Sequence, residues 1–238
     1  MRHTPHPAYP RIARHTLVAM ALEREFFTTD PVSLAKALLG ATLVRVVEGR
    51  RLAGRIVETE AYLGVQDLAA HSKGGHRSPR NESMYQHPGT AYVYFTYGMH
   101  HCFNIVCGEQ RDPHEPVAVL VRALEPTEGL GQMRAHRAGP RRVATLRDRD
   151  LCSGPAKLCQ ALAIDREFDR ADLVTSQALF VEAERPEPIA SQIASADIGS
   201  GPRIGVAYAG AWAGKELRFF VRGNAHVSRS ENRREAPP

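Results

Sequence analysis

The sequence predicts a single mixed α+β domain, in which helices surround a curved antiparallel sheet and one β-hairpin protrudes. Three observations support this prediction. Strand-like runs outnumber helical segments, and neighbouring runs are joined by short turns, which is typical of antiparallel strands. A few short helical segments lie between these runs. No internal repeat and no shift in composition divides the 238 residues, and this length is sufficient for one large hydrophobic core.

The first half of the chain begins with a helix and continues with two strands. The segment "TTDPVSLAKALLG" places Asp30 as the helix cap, Pro31 in the first turn and Gly40 after the last turn. The following segment, "ATLVRVVEGRRLAGRIVETEAY", predicts two strands around the turn "EGRR". The basic, glycine-rich segment "HSKGGHRSPRN" then predicts a loop.

The stretch "YVYFTYGMHH", residues 92–101, predicts the protruding hairpin. An aromatic strand breaks at Gly98, and the apolar run "CFNIV" resumes at Cys102. Met99 and His100 then lie at the exposed tip, where their large side chains bury nothing. Either an ordinary core strand ends here in an irregular turn, or the tip enters a partner molecule.

The second half of the chain alternates helices with strands. The run "VAVLVRALEP" predicts a largely buried strand. Helices are predicted over residues 127–137 and from "SGPAKLCQALAI", where Ser153 can cap and Pro155 lies in the first turn. Late strands are predicted at "LFVEA", "RIGVAYA" and "LRFFVRG".

The two ends of the sequence predict segments without fixed structure. We expect a disordered basic tail over residues 1–20, one domain over 21–227 and a disordered polar tail over 228–238. No apolar run approaches the roughly 18 residues of a membrane span, and the first twenty residues lack the apolar centre of a secretory signal. We therefore expect a protein that is not secreted, and bacterial cytoplasm or the interior of an organelle are both possible locations.

Composition limits the kinds of partner. The net charge of +5 and the isoelectric point of about 9.2 permit a polyanionic partner without requiring one. The four cysteines include no CxxC pair, which argues against a zinc site, and so few cysteines in so long a chain do not suggest a secreted disulfide framework. Buried free thiols are the expected state.

Two glutamates in "RIVETEAYLG" are candidates for acid–base chemistry. Glu58 and Glu60 are two residues apart on a predicted strand, so both side chains project from the same face, which Tyr62 continues. A carboxylate held among aromatic groups can act as a general base. A solvated polar face is the alternative, and apolar flanking residues together with the nearby His71 weaken it.

Arg122 lies inside the apolar run "VAVLVRALEP", where an arginine is costly unless it meets an acid. Glu58, Glu60 and Glu125 are the candidate partners. Either a structural ion pair or a buried active-site arginine explains the position.

The sequence indicates phosphate binding and metal binding less strongly than it indicates acid–base chemistry. The loop "SKGGHRSPRN" can hold phosphates through backbone N–H groups and through Arg77 or Arg80, or it is a solvated basic loop. The candidate metal ligands His71, His76, His100 and His101 have no established metal-binding spacing. Motifs for nucleotide cofactors are absent from the sequence.

Taken together, four segments resemble one known family. They are "RIVETEAYLG…AAHSKGGHRSPRN", "PGTAYVYFTYGMHHCFNI", "VLVRALEP" and "LCSGPAKLCQALAI". Their sequences and their order, from about Leu39 to about Gly223, are similar to the alkyladenine (3-methyladenine) DNA glycosylases. The resemblance implies an enzyme of base excision repair that binds damaged duplex DNA, extrudes a damaged purine and hydrolyses its N-glycosidic bond without metal, cofactor or strand cleavage. It further implies a monomer located in the cytoplasm (with the nucleoid in a bacterium) or in the nucleus.

The resemblance also assigns roles to residues. It implies that Glu60 activates the attacking water and that Arg122 helps to hold this water and the target phosphate. Tyr62, His71 and Tyr94 match the residues that sandwich the base, so that an acidic side chain closes an aromatic slot.

Further matched positions concern lesion choice and DNA. Asn104 matches a residue that gates which exocyclic groups fit, and Tyr97 matches the hairpin residue that fills the gap left by the flipped base. The remaining implied DNA contacts are Met99, His100, His76, Ser78, Arg80, Met84 and Lys157. This sequence departs from the family at His76, where many members have arginine, and at His100, where some have tyrosine.

Two other functions remain open from the sequence. A non-catalytic nucleic-acid binding module could use the same hairpin. A metal-dependent hydrolase could use His71 with Glu58 and Glu60.

Overall fold

The computed structural model describes residues 20–96, 98–109, 115–138, 146–183 and 193–228. Within these ranges nine strands form one sheet in which every pairing is antiparallel, with the order β1-β7-β2-β3-β6-β5-β4, while β9 joins β3 and β8. The strands are β1 (Met20–Ala21), β2 (Thr42–Val47), β3 (Arg50–Tyr62), β4 (Ala91–Thr96), β5 (His100–Cys107), β6 (Val117–Glu128), β7 (Leu179–Ala183), β8 (Ile198–Gly201) and β9 (Arg218–Val221).

Short helices pack around this curled sheet, and the predicted α+β class is confirmed. The α-helices of the described residues are α1 (Arg24–Phe27), α2 (Pro31–Ala37), α3 (Leu130–Ala138), α4 (Asp148–Leu151) and α5 (Pro155–Ala161). Short 3₁₀ helices occur at Gly64–Gln66, Lys73–Gly75, Glu82–Tyr85, Arg166–Phe168, Ser195–Asp197 and Ala207–Trp212. None of the helices in the described ranges has the length and apolar character needed to cross a membrane.

The start of α2 and the β2–β3 turn follow the local sequence signals. Asp30 caps α2, since its Oδ1 accepts hydrogen bonds from the backbone N–H groups of Val32 (2.9 Å) and Ser33 (3.0 Å). The turn after β2 is only two residues long. Glu48 and Gly49 both have positive φ (50° and 75°), as the tightest hairpin turn requires, so the two arginines of "EGRR" already belong to β3.

Three predictions about individual helices and strands are wrong. The helix predicted over 127–137 begins at Leu130, because β6 continues through Glu128. Gly154 takes the cap position of α5 in place of Ser153, whose hydroxyl accepts a hydrogen bond from Lys157 Nζ at 3.3 Å. The run "RIGVAYA" is not a strand, and most of its residues lie in a turn and a 3₁₀ helix, while the strand lies upstream at Ile198–Gly201.

A large core fills the space between the sheet and the helices, with α2 and α5 contributing fully buried leucines. A smaller apolar cluster of Met84, Tyr92, Val106 and Ala118 lies beside it. A cavity lined in part by residues of β3, β4, β5 and β6 contains most of the chemically distinctive residues.

Candidate active site

The cavity has a volume of about 560 Å³, which is in the usual range of small-molecule sites. Of the residues assigned from the sequence, seven line it: Tyr62, His71, Arg80, Met84, Tyr94, Asn104 and Arg122. The fold therefore brings these side chains together from β3, β4, β5, β6 and the segment between β3 and β4. Their partners explain what each can do.

Aromatic rings form one wall of the cavity. The ring centroids of His71 and Tyr94 are 4.6 Å apart at an interplanar angle of 77°, and those of Tyr92 and Tyr94 are 5.3 Å apart at 36°. Tyr92 was missed by the sequence analysis, although the period of two in "YVY" places it on the same face of β4 as Tyr94. Partly apolar aromatic surfaces of this kind suit a planar aromatic ligand.

Glu60 lies directly behind the wall. Its Oε2 accepts a hydrogen bond from the Tyr62 hydroxyl (2.8 Å), and its Oε1 accepts one from the backbone N–H of Ile204 (2.8 Å). Arg122 Nη1 is 3.1 Å from the same Oε1. The side chain of Glu60 has no exposed surface and does not itself line the cavity. The sequence predicted that the acidic side chain itself closes the aromatic slot. Instead, Tyr62 and Arg122 line the cavity, and Glu60 bonds to both from behind them.

Glu58 is the second acidic partner of Arg122. Its Oε1 lies 3.4 Å from Arg122 Nε and accepts a hydrogen bond from Arg218 Nη1 at 3.0 Å. Its Oε2 accepts one from the backbone N–H of Ser228 at 2.7 Å. The alternative of a solvated polar face is wrong, because both glutamates are completely buried.

The third candidate partner of Arg122, Glu125, lies elsewhere and accepts a hydrogen bond from Asn224 Nδ2 at 3.0 Å. Ser228, which the sequence placed in a tail, is buried against Glu58. The pairing of β3 with β6 shifts register on both sides of Glu58. Bulges of this kind commonly re-aim side chains beside active sites.

His71 is held neutral. Burial, and then the nearby charges of Arg80 and His76, lower the pKa of His71 to about 4. Its Nδ1 lies 2.7 Å from the Tyr92 hydroxyl, which fixes the ring against the wall. A neutral imidazole does not repel a positively charged ligand, so the wall tolerates a cation at neutral pH.

Two buried residues complete the cavity. Asn104 is 4% exposed, and its Nδ2 donates to the backbone oxygen of Tyr92 at 3.0 Å, which holds the carboxamide in place. Met84 is 2% exposed and packs in the smaller apolar cluster. The side chain of Met84 thus faces the cavity and the core, and it is not available at the surface for the DNA contact implied by the resemblance.

The other expected DNA contacts lie at or near the surface. Met99 is 70% exposed at the end of the β4–β5 hairpin, and His100 and His76 are also exposed. Arg80 extends over Tyr94, with its guanidinium carbon 5.6 Å from the ring centroid, and Tyr97 lies outside the described residues. The protrusion of the hairpin therefore stays a prediction.

Two expected phosphate contacts are engaged within the protein. The hydroxyl of Ser78 donates to Asn81 Oδ1 at 3.0 Å, and Lys157 donates to Ser153. Lys157 is half-buried at the start of α5.

Metal binding is not supported by the geometry. In the ranges that the structure describes, no group of three or more His, Cys, Asp and Glu side chains could hold a metal ion. The predicted free thiols are confirmed, since Cys102, Cys107, Cys152 and Cys159 are all buried and unbonded to one another.

A second buried ion pair supports the cavity from behind and had no signal in the sequence. Arg203 and Asp67 have fully buried side chains, and Arg203 Nη2 donates to Asp67 Oδ1 at 2.8 Å. The guanidinium carbon of Arg203 lies over the Tyr62 ring, 4.6 Å from its centroid. Because 136 residues separate the two partners, spacing along the chain could not indicate the pair.

Comparison with known proteins places this site in a family. The chain is 50% identical over 208 residues to the DNA-3-methyladenine glycosylase of Homo sapiens and 49% identical to that of Mus musculus. These alignments cover 86% of this chain but only 66% and 60% of the two longer mammalian proteins. A putative 3-methyladenine DNA glycosylase of Desulfitobacterium hafniense is 42% identical over 209 residues, or 87% of this chain and 98% of the bacterial protein. The family model of methylpurine-DNA glycosylases matches residues 25–225, and the chain therefore belongs to the methylpurine-DNA glycosylase family.

Proposed function

We propose that the protein is a monofunctional DNA glycosylase of base excision repair. It flips alkylated or deaminated purines out of duplex DNA and hydrolyses the N-glycosidic bond with a water that Glu60 activates. The substrates include 3-methyladenine and 7-methylguanine, with hypoxanthine and ethenoadenine as neutral members of the range. The observation that carries this proposal is an aromatic cavity whose wall residues Tyr62 and Arg122 bond directly to the buried carboxylate of Glu60.

The aromatic wall supports selection of damaged purines. Alkylation at a ring nitrogen makes the base cationic, and the π faces of Tyr62 and Tyr94 attract a positive ring by about 1–2 kcal/mol when water is excluded. The neutral His71 adds no opposing charge. Asn104 limits which exocyclic groups the cavity accepts.

Hydrolysis depends on the buried charges. A cationic base is already a good leaving group, so the enzyme must chiefly stabilise the positive charge that develops on the sugar and deliver a water to it. Glu60 supplies a negative charge behind the wall, where the low dielectric strengthens its effect. Arg122 orients the water and the target phosphate, and Glu60 accepts the proton that the water loses. Because Glu60 is fully buried behind Tyr62 and Arg122 in the DNA-free protein, this step requires the two side chains to shift and admit the water to the carboxylate when DNA binds.

Base extrusion depends on side chains that contact the DNA outside the cavity. Flipping a base costs a few kcal/mol of stacking and pairing, so a side chain that fills the vacancy is useful. Tyr97 takes this role in the proposal, and Met99 and His100 press into the minor groove beside it. Phosphate contacts come from His76, Ser78, Arg80 and Lys157.

The experiment is incubation of the protein with methylated duplex DNA, followed by chromatography of the released bases. Free 3-methyladenine and 7-methylguanine are expected, and the DNA strand should remain intact, since none of the described lysines lines the cavity to form a Schiff base. Binding of the duplex without release of any base would instead support the non-catalytic binding module. Loss of activity in a chelator, with recovery in zinc, would support the metal-dependent hydrolase.

A further inference from the structure

The Arg203–Asp67 pair is fixed against the back of the base-binding wall. Arg203 Nη1 donates to the backbone oxygen of Ala61 (2.9 Å) and to Asp67 Oδ2, and Nη2 donates to Asp67 Oδ1. Asp67 in turn accepts hydrogen bonds from the backbone N–H groups of Leu63 (3.0 Å) and Ala69 (2.9 Å). With both side chains fully buried, neither charge can move away from Tyr62 without breaking several hydrogen bonds.

The position of Arg203 sets the electrostatic character of the Tyr62 ring. Its guanidinium lies over this ring, whereas Tyr62, and not Arg203, lines the cavity. A ligand that stacks on Tyr62 from the cavity therefore meets a π system that already carries a cation. Asp67 offsets part of the positive charge of Arg203, but it contacts the edge of the guanidinium group and not the Tyr62 ring.

We propose that Arg203 is a specificity-determining residue, which weakens the preference of the cavity for cationic alkylpurines and so keeps neutral purine lesions within its range. This inference rests on the proposed function and names the substrate class that the Tyr62 wall selects.

The physical reason is that one aromatic ring attracts a cation less strongly when a second cation already lies against its other face. The ring attracts a cation through its quadrupole, and a second cation on the ring opposes the first by direct repulsion and by polarising the shared electrons. Burial strengthens this repulsion, because little water screens it. A neutral base stacks mainly through dispersion and apolar contact, which the guanidinium hardly changes.

The test compares a cationic lesion with a neutral one in each protein. Single-turnover rates are measured on matched duplexes that contain either 7-methylguanine or ethenoadenine. The informative variant is Arg203→Met with Asp67→Asn, which removes both charges and retains similar side-chain volumes. The ratio of the cationic rate to the neutral rate is expected to rise about three- to tenfold, as the attraction of the ring for cations is restored.

Two further variants separate this electrostatic effect from a structural one. Arg203→Lys retains the positive charge and is expected to leave the ratio close to the wild-type value. Arg24→Met with Asp172→Asn breaks another ion pair, joined at 2.6 Å, whose residues do not line the cavity, and it should also leave the ratio unchanged. A loss of folded protein lowers both rates together and does not alter the ratio.

An unchanged or lower ratio in the double variant at Arg203 and Asp67 would overturn the inference. Where excision of one lesion is too slow to measure, the ratio of affinities for the two duplexes in a Glu60→Gln background replaces the ratio of rates, with the same outcomes. Failure of the wild-type protein to release 7-methylguanine would refute the proposed function itself, and this result is separate from any change in the ratio.

Discussion

At the scale of single residues, Glu60 is the centre of the proposed chemistry, and each of its oxygens has a partner. One oxygen accepts from the Tyr62 hydroxyl, and the other accepts from the Ile204 backbone and faces Arg122. These contacts fix the direction of the carboxylate before any substrate arrives. Preorganised charge of this kind costs no reorganisation during the reaction.

Replacing Tyr62 with phenylalanine tests this arrangement, because it removes the hydroxyl donor and keeps the ring. A hydrogen bond to a charged group contributes about 1.5–3 kcal/mol, so excision of 7-methylguanine in single turnover should slow by about tenfold or more. The matched control is Tyr94→Phe, which loses a hydroxyl bonded to Cys102 on the same wall. Equal rates for the two variants would show that the Tyr62 hydroxyl does not position Glu60.

His71 links the cavity to stability. Its pKa of about 4 lies below the ordinary value of 6.5, so the unfolded chain binds a proton that the folded chain does not accept until much lower pH. The folded state is therefore penalised as the pH falls from about 6.5 towards about 4, by about 2 kcal/mol at about pH 5. Urea unfolding of the wild type and of His71→Asn, at about pH 7.5 and about pH 5, should show that the variant loses less stability on acidification. A parallel pH dependence in both proteins would contradict this prediction.

At the scale of elements, β3 positions both buried glutamates, and the register shifts around Glu58 let them share Arg122. Three positively charged or N–H groups converge on Glu58, from β6, from β9 and from Ser228. The burial of this cluster means that its charges balance one another within the protein and not through solvent. Loss of one member should therefore be costly.

Glu58→Gln tests the balance of this cluster. Removing one charge from a buried pair typically costs about 3–5 kcal/mol, because the remaining charges are left uncompensated. The variant should lower the free energy of unfolding by an amount in this range. Glu125→Gln on the neighbouring β6, where the partner is the amide of Asn224, should cost much less. The measurement is chemical unfolding of both variants, and similar losses would argue against a special role for Glu58.

The β4–β5 hairpin is the element that the proposal assigns to DNA. Its register pairs Thr96 with His100, and Gly98 has a φ of 66°, which suits glycine in a tight turn. Phe95 and Met99 remain exposed there. Large apolar side chains that remain exposed in the free protein are candidates for burial in a complex.

Met99→Ala distinguishes a DNA contact from a fold contact. Because the side chain is 70% exposed, its loss should change the free energy of unfolding by less than about 0.5 kcal/mol. Affinity for a duplex that contains an abasic-site analogue should fall about three- to tenfold, since wedge contacts in the minor groove are lost. The two measurements are thermal unfolding and equilibrium binding. A lower melting temperature with unchanged affinity would place Met99 in the fold and not in the interface.

At the scale of the whole molecule, the sequence predicted features that depend on local pattern. The α+β class followed from short turns between strand-like runs, and the Arg122 ion pairs followed from the cost of an arginine in an apolar strand. The failed strand at "RIGVAYA" has a local cause. Gly205 and Gly210 adopt positive φ there, while Val206 and Ala209 pack against Ala69, so an apolar run bends instead of extending.

Features that depend on distant partners were not predictable. The backbone N–H of Ile204 reaches Glu60 across 144 residues, and a backbone donor leaves no signature in a sequence. The same applies to Ser228, which the composition of the C-terminal segment placed in a tail. The resemblance to the glycosylase family supplied residue roles. The residues behind the cavity wall, such as Arg203 and Asp67, were recognised only from the structure.

The central claim is that Glu60 drives hydrolysis of the N-glycosidic bond of a purine whose base is held in the aromatic cavity. The most direct measurement is single-turnover excision of 7-methylguanine by the wild type and by Glu60→Gln, with duplex affinity for an abasic-site analogue measured in parallel. The predicted result is a rate at least about a hundredfold lower in the variant, because the general base is lost, with nearly unchanged affinity. Excision at the wild-type rate by Glu60→Gln would contradict the claim.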